Sequence, residues 1–180
     1  MRVLGIDPGT WKTGVGVVVL DKGSLRALHY ETLVLQRSQG HLSLAKRLKK
    51  LYDSLIEIFR IYRPDVVALE DIFYSLNFLT AVRIGEARAV AILAATHFDI
   101  LVAEYSPARI KKAISGNGQA SKVQMQFMVR QLLKLKENPP PDAADALAVA
   151  ICHCHAPEPR RAVTSKTSLS PRKVAEKQNV

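Results

Sequence analysis

The chain opens with a short apolar run, Val3-Leu4-Gly5-Ile6, that ends on an acid, Asp7. Pro8-Gly9 forces a turn, and apolar alternation resumes through Val15, Val17 and Val19. This pattern predicts two strands of a hairpin with a carboxylate at the end of the first. A strand so apolar is expected to be buried on both faces. Asp21-Lys22-Gly23 is a turn, and Leu25 to Leu35 reads as a third antiparallel strand. Between His41 and Tyr62 the apolar residues Leu44, Leu48, Leu51, Leu55, Ile58, Phe59 and Tyr62 recur in steps of three and four, which predicts an amphipathic helix. Its other side carries Lys46, Lys49, Lys50, Arg60 and Arg63, a solvated basic face.

Pro64 stops this helix, and Asp65 to Glu70 is a second apolar run ending on an acid. A strand after a long helix implies a crossover and parallel pairing with the first strand. Leu79 to Thr96 is a helix rich in alanine and glycine, suited to packing on the sheet or to contact with a second copy. Ile100 to Glu104 is a fifth strand. From Pro107 the chain is polar and basic, with Arg109, Lys111 and Lys112, then Gly116-Asn117-Gly118, then Lys122. Glycines flanked by cations suit a loop lying close to phosphate. Helices follow at Ser121 to Leu135 and at Asp142 to about His155, separated by a proline run. Two units result: a globular domain over 1–156 and a basic tail over 157–180. The tail holds six Lys/Arg against Glu158 and Glu176, and its composition predicts disorder.

Charge sharpens the picture. The 180 residues carry a formal net charge of +10, which favours a polyanionic partner, nucleic acid before membrane. No apolar run approaches the roughly 20 residues of a membrane span. Met1-Arg2 leads straight into the first strand, so no signal peptide and a cytoplasmic location are expected. The two cysteines, Cys152 and Cys154, are too few for a disulfide framework. Cys152-His153-Cys154-His155 has the residue types of a metal motif, but neighbours at i and i+2 on a helix point apart and no second ligand pair exists elsewhere, so no metal is expected there.

The acids form the candidate site. Asp7 suits a tight turn and Asp142 suits the first turn of a helix. Yet Asp7 and Glu70 both end apolar strands, and Asp142 and Asp145 share one helix face at i, i+3 among small residues. If the two strands are adjacent and parallel, all four carboxylates can meet at one sheet edge. Four carboxylates in one pocket require cations. Oxygen donors select magnesium, with manganese a substitute. Two such ions about 4 Å apart serve in-line phosphoryl displacement.

The motifs LGIDPGT, ALEDIF and DAADALAVAICHCH, in order over residues 1 to about 156, resemble the RuvC family of Holliday junction resolvases. The resemblance implies an α/β, ribonuclease H-like fold: a five-stranded mixed sheet, three antiparallel strands followed by two parallel ones, flanked by helices. It implies a homodimer that nicks four-way junction DNA symmetrically with Mg²⁺, two ions per active site, and cooperates with the RuvA–RuvB branch-migration machine. On this pattern Asp7, Glu70, Asp142 and Asp145 are the metal-binding catalytic acids. Phe73 matches an aromatic used at the junction, and its ordinary alternative is a core phenylalanine. Lys111 and Lys122 match lysines near the phosphates, with Arg109 and Lys112 beside them in sequence. Two other readings stay open. Gly5 to Thr10 also resembles the first phosphate loop of actin-like ATPases and sugar kinases, although 180 residues leave no room for their second lobe. A non-catalytic junction-binding module is the other, which the four acids oppose.

Overall fold

The computed structural model describes residues 1–36, 42–71 and 78–155, and the backbone of 161–162. Phe73 and the tail beyond that short segment lie outside the described residues. The chain runs β1 (Arg2–Asp7), β2 (Lys12–Asp21), β3 (Ser24–Val34), α1 (Leu44–Tyr62), β4 (Val66–Glu70), α2 (Phe78–His97), β5 (Leu101–Tyr105), α3 (Pro107–Ser115), α4 (Lys122–Leu132), α5 (Pro141–His155) and β6 (Arg161–Ala162).

Among the described residues one sheet holds every strand, in the order β3-β2-β1-β4-β5-β6. β1, β2 and β3 pair antiparallel, and β4 and β5 add on in parallel. The expected five-stranded mixed sheet is thus present. The two-residue β6 lies antiparallel on β5 and comes from the segment assigned to the tail.

Period two divides the strands between two cores. Leu4, Ile6, Val15, Val17, Val67 and Leu69 face α1 and α2. Val3, Val18, Val66, Ala68, Ala103 and Tyr105 face α3, α4 and α5. α1 is held at its ends. Ser43 accepts from the Lys46 N–H, and Arg63 adopts a left-handed conformation with its N–H on the Phe59 carbonyl, just before Pro64. The small residues of α2 turn inward: Ala87, Ala91, Ala94 and Ala95 are buried against the sheet.

Gly116-Asn117-Gly118 lies in a loop between helices, as read, but the basic stretch before it, Pro107–Ser115, is a helix that the reading did not place. Its signals were Pro107 in the first turn, Ile110 and Ile114 four apart and both buried, and Gly116 as a left-handed cap. Nine residues with four cationic or polar positions masked that short apolar stripe.

Candidate active site

Alternation along β1 puts Val3, Gly5 and Asp7 on one face, and along β4 puts Val66, Ala68 and Glu70 on the same one. Ile6 is the register partner of Leu69, so Asp7 and Glu70 emerge side by side at the carboxyl ends of two parallel strands. The face they share is the one α5 covers.

α5 comes unusually close because the sheet beneath it is glycine. Gly5 and Gly16 are register partners, as are Asp7 and Gly14. A Cβ on Gly5 would sit 1.9 Å from the Ala146 carbonyl oxygen, and one on Gly14 would sit 1.9 Å from that of Asp142. A Cβ on Gly16 would meet the Leu147 side chain at 2.7 Å. α5 answers with Ala143, Ala144, Ala146, Ala148 and Ala150, all buried. Backbone therefore lies on backbone, and Asp142 and Asp145 reach the same sheet edge as Asp7. The turn that follows Asp7 is fixed by Thr13, whose hydroxyl donates to the Gly9 carbonyl at 2.7 Å and accepts from the Gly9 N–H at 3.2 Å.

The electrostatics report the convergence. Burial, then the charges of Asp145, Glu70 and Asp142, push the Asp7 carboxyl up to about 7, with Lys122 opposing. Burial and Asp145 also raise Glu70, against the pull of Lys111, Arg88 and Lys122. Lys122 pairs directly with one of the acids. Its ammonium lies 2.8 Å from Asp145 Oδ2, and that hydrogen bond, with the charges of Asp145, Asp7 and Asp142, raises its own pKa. A capping box between Ser121 and Gln124 starts α4 and sets Lys122 at its first residue. Glu70, Lys111, Lys122 and Asp145 line one cleft of about 260 Å³ together with Ile110 and Met125.

Of the candidate DNA contacts, Lys111 and Lys122 thus border the acids. Lys112 is on the exposed side of α3. Arg109 is half-buried with its guanidinium 5.6 Å from the centre of the Tyr105 ring. The Cys-His run is engaged in packing. Cys152 and Cys154 are buried thiols pushed up to about 11 by burial. His153 hydrogen-bonds the Tyr105 hydroxyl, and burial lowers its pKa.

Sequence reasoning missed Arg88 and Glu104. Both are buried and they form an ion pair. Arg88 also donates to the backbone carbonyl of Glu70, tying α2 to the end of β4. An acid inside the apolar strand Leu101–Tyr105 and an arginine among the alanines of α2 were the available signals.

The donor set suits hard divalent ions. Among the described residues no three acid, histidine or cysteine side chains already stand in ligand geometry around one point. Uncompensated carboxylates repel, and among the described residues Lys111, Lys122 and Arg88 oppose that repulsion. Burial and the neighbouring carboxylates both disfavour the charged form of Asp7, a condition that a divalent ion relieves.

The family profile described as crossover junction endodeoxyribonuclease RuvC matches residues 3–153. A protein of that name from Desulforamulus reducens is 48% identical over 149 residues, 82% of this chain and 90% of its own. One from Halorhodospira halophila is 49% identical over 148 residues, 82% and 86% of the two chains. Among solved structures, T. thermophilus RuvC in complex with a Holliday junction substrate superposes with a TM-score of 0.79 at 34% identity, covering 86% of this chain and 93% of that one. The yeast mitochondrial Holliday junction resolvase Ydc2 shares the fold, with a TM-score of 0.60 at 16% identity over 84% of this chain and 76% of that one.

Proposed function

The chain belongs to the RuvC family of crossover junction endodeoxyribonucleases, and from that premise we propose how its own residues perform junction cleavage. It is a nuclease that resolves Holliday junctions. The catalytic set is Asp7, Glu70, Asp142 and Asp145. The observation that carries this reading is the convergence of these acids at one sheet edge, where burial and then the charges of Asp145, Glu70 and Asp142 push Asp7 up to about 7.

Asp7, Glu70, Asp142 and Asp145 would hold two Mg²⁺ ions, with Mn²⁺ as substitute. When bound, the ions supply Lewis acidity toward the phosphoryl oxygens and a water nucleophile. The chain's part is placement. The glycine track under α5 fixes where Asp142 and Asp145 stand relative to Asp7. Arg88 holds the backbone of Glu70. Lys111 and Lys122, at the cleft wall, neutralise the phosphates on either side of the scissile bond. Phe73, three residues past Glu70, stacks on a base at the opened junction, while Arg109 and Lys112 add backbone contacts.

Two active sites are needed for symmetric cuts, so the enzyme acts as a homodimer. Phe78, Val82 and Leu93 are exposed on α2 at helical spacing, and they form the face for a second copy. The RuvA–RuvB branch-migration complex supplies the junction, in the cytoplasm. Among the described residues no helix is long and apolar enough to cross a membrane. The domain spans 1–156, and the basic remainder adds non-specific DNA affinity.

The decisive experiment is nicking of a synthetic four-way junction beside linear duplex, with and without Mg²⁺. Paired symmetric nicks should appear only on the junction and only with metal. Cleavage that survives chelation, or equal cleavage of linear duplex, would refute the reading.

A further inference from the structure

Trp11 is the chain's single tryptophan, and the residue is 54% exposed. It lies in the turn that leads away from Asp7, between β1 and β2. A large aromatic at the surface usually hides against a neighbour, and here the neighbour is a cation. The Arg47 guanidinium, on α1, stacks on the indole 4.3 Å from the ring centre. Arg47 is itself buried, and its Nη1 donates to the Thr10 carbonyl at 3.1 Å. The Trp11 carbonyl accepts from the Leu35 N–H at 2.9 Å, so the backbone of the turn is also fixed. The ring is thus held from beneath, and the residue as a whole stays exposed.

A cavity of about 470 Å³ opens beside it, between this turn and the start of α2. Thr10, Trp11 and Lys12 form one wall, and Leu79, Arg83 and Ile84 the other. The volume is in the range of small-ligand sites. Its chemistry is an aromatic plate, a short apolar floor and cationic groups at the rim: Lys12, exposed, and Arg83, which also pairs with Glu86 at 3.0 Å. A second copy of this chain would favour an apolar wall without the cations. The combination of a rigid indole and positive rim is that of single-stranded nucleic-acid sites.

We propose that Trp11 is a stacking platform for an unpaired nucleobase of the junction, with Lys12 and Arg83 meeting the adjoining phosphates. The position, within one turn of Asp7 in the chain, lets it hold a displaced base beside the strand being cut. The inference rests on the junction-binding reading above.

The indole is its own probe. The full chain is titrated without Mg²⁺ with a four-way junction, or with a hairpin-closed linear duplex, and tryptophan emission is followed beside a mobility-shift assay. Emission should be quenched as the junction saturates and should change far less with duplex. Trp11→Ala should weaken junction binding by about five- to a hundredfold, the range for one stacked base, and Trp11→Phe should retain most of the affinity. Emission unmoved at saturation would overturn the proposal, as would equal quenching by duplex or full affinity in Trp11→Ala. Emission that changes with protein concentration alone, without DNA, would assign the ring to a second copy instead. Failure of the wild-type chain to bind the junction at all would remove the functional reading, and this inference with it.

Discussion

Gly14→Ala is the sharpest perturbation the site offers. The new Cβ would stand 1.9 Å from the Asp142 carbonyl oxygen and 2.4 Å from its carbonyl carbon. Ordinary contact begins near 3.4 Å. Restoring it requires about 3.4 − 1.9 = 1.5 Å of separation, because the obstacle is backbone on both sides and no side chain can swing away. α5 cannot simply lift. Its middle is seated on Gly5 and Gly16, and its far end is tied to β5 through His153 and Tyr105. The first turn, carrying Asp142 and Asp145, takes the displacement. Overpacking of this kind costs ~1–3 kcal/mol, within the ~5–15 kcal/mol that holds a domain together, so the variant folds. Misplacing a reacting group by 1 Å costs on the order of 10²-fold in rate. Single-turnover nicking of a four-way junction at saturating enzyme should therefore fall about a hundredfold or more, while junction affinity stays near wild type. Gly85→Ala is the control: nothing lies within 4 Å of its Cβ, and in a helix the change should stabilise by ~0.5–1 kcal/mol. A Gly14→Ala enzyme that cuts at the wild-type rate would show that α5 does not position the acids.

Three further outcomes are expected. Asp7→Asn should abolish nicking and keep junction binding, since it removes a carboxylate and no part of the basic surface; it should also alter the pH dependence of stability without metal. The native Asp7 pKa, about 7 against an ordinary 3.8, means the native state binds the extra proton, so stability is fullest below about 4 and falls by up to about 4 kcal/mol as pH rises through 7. Chemical denaturation from pH 4 to 8 in chelator checks this, and an equal slope in Asp7→Asn would show that another group is responsible. Lys111→Ala should weaken junction binding and reduce the slope of log K against log salt by about 1; an unchanged slope would remove Lys111 from the phosphate contacts. Deleting 157–180 should leave a folded, active enzyme, because only the two residues of β6 on the edge of β5 are lost from the described sheet; loss of a cooperative thermal transition would show that the tail is part of the domain.

The strands, α1, α2 and α5 were legible because each repeats its apolar period long enough to be read. The acids were legible as a set because two of them end buried strands and two share a helix face. What could not be read was distance. Gly5, Gly14 and Gly16 look like turn or strand-weakening residues in the sequence, and only the packed helix reveals them as the floor under α5. α3 was missed because its stripe is two isoleucines long. Arg88 and Glu104, sixteen residues apart, gave no local sign that they meet. Trp11 carried no local sign, because its partner Arg47 comes from α1.

Arg88 adds a polar tie to the apolar packing between α2 and the sheet. It sits on α2, whose outer stripe of Phe78, Val82 and Leu93 faces away from the sheet, and its guanidinium grips the Glu70 carbonyl and the Glu104 carboxylate from inside. A buried arginine with two fixed acceptors leaves little slack, since breaking either contact strands a charge away from water. Any tilt or sliding of α2 under load on its outer face is therefore delivered to the backbone of Glu70. The outer surface of α2 and the end of β4, where Glu70 of the proposed catalytic set stands, are thus coupled through one buried side chain.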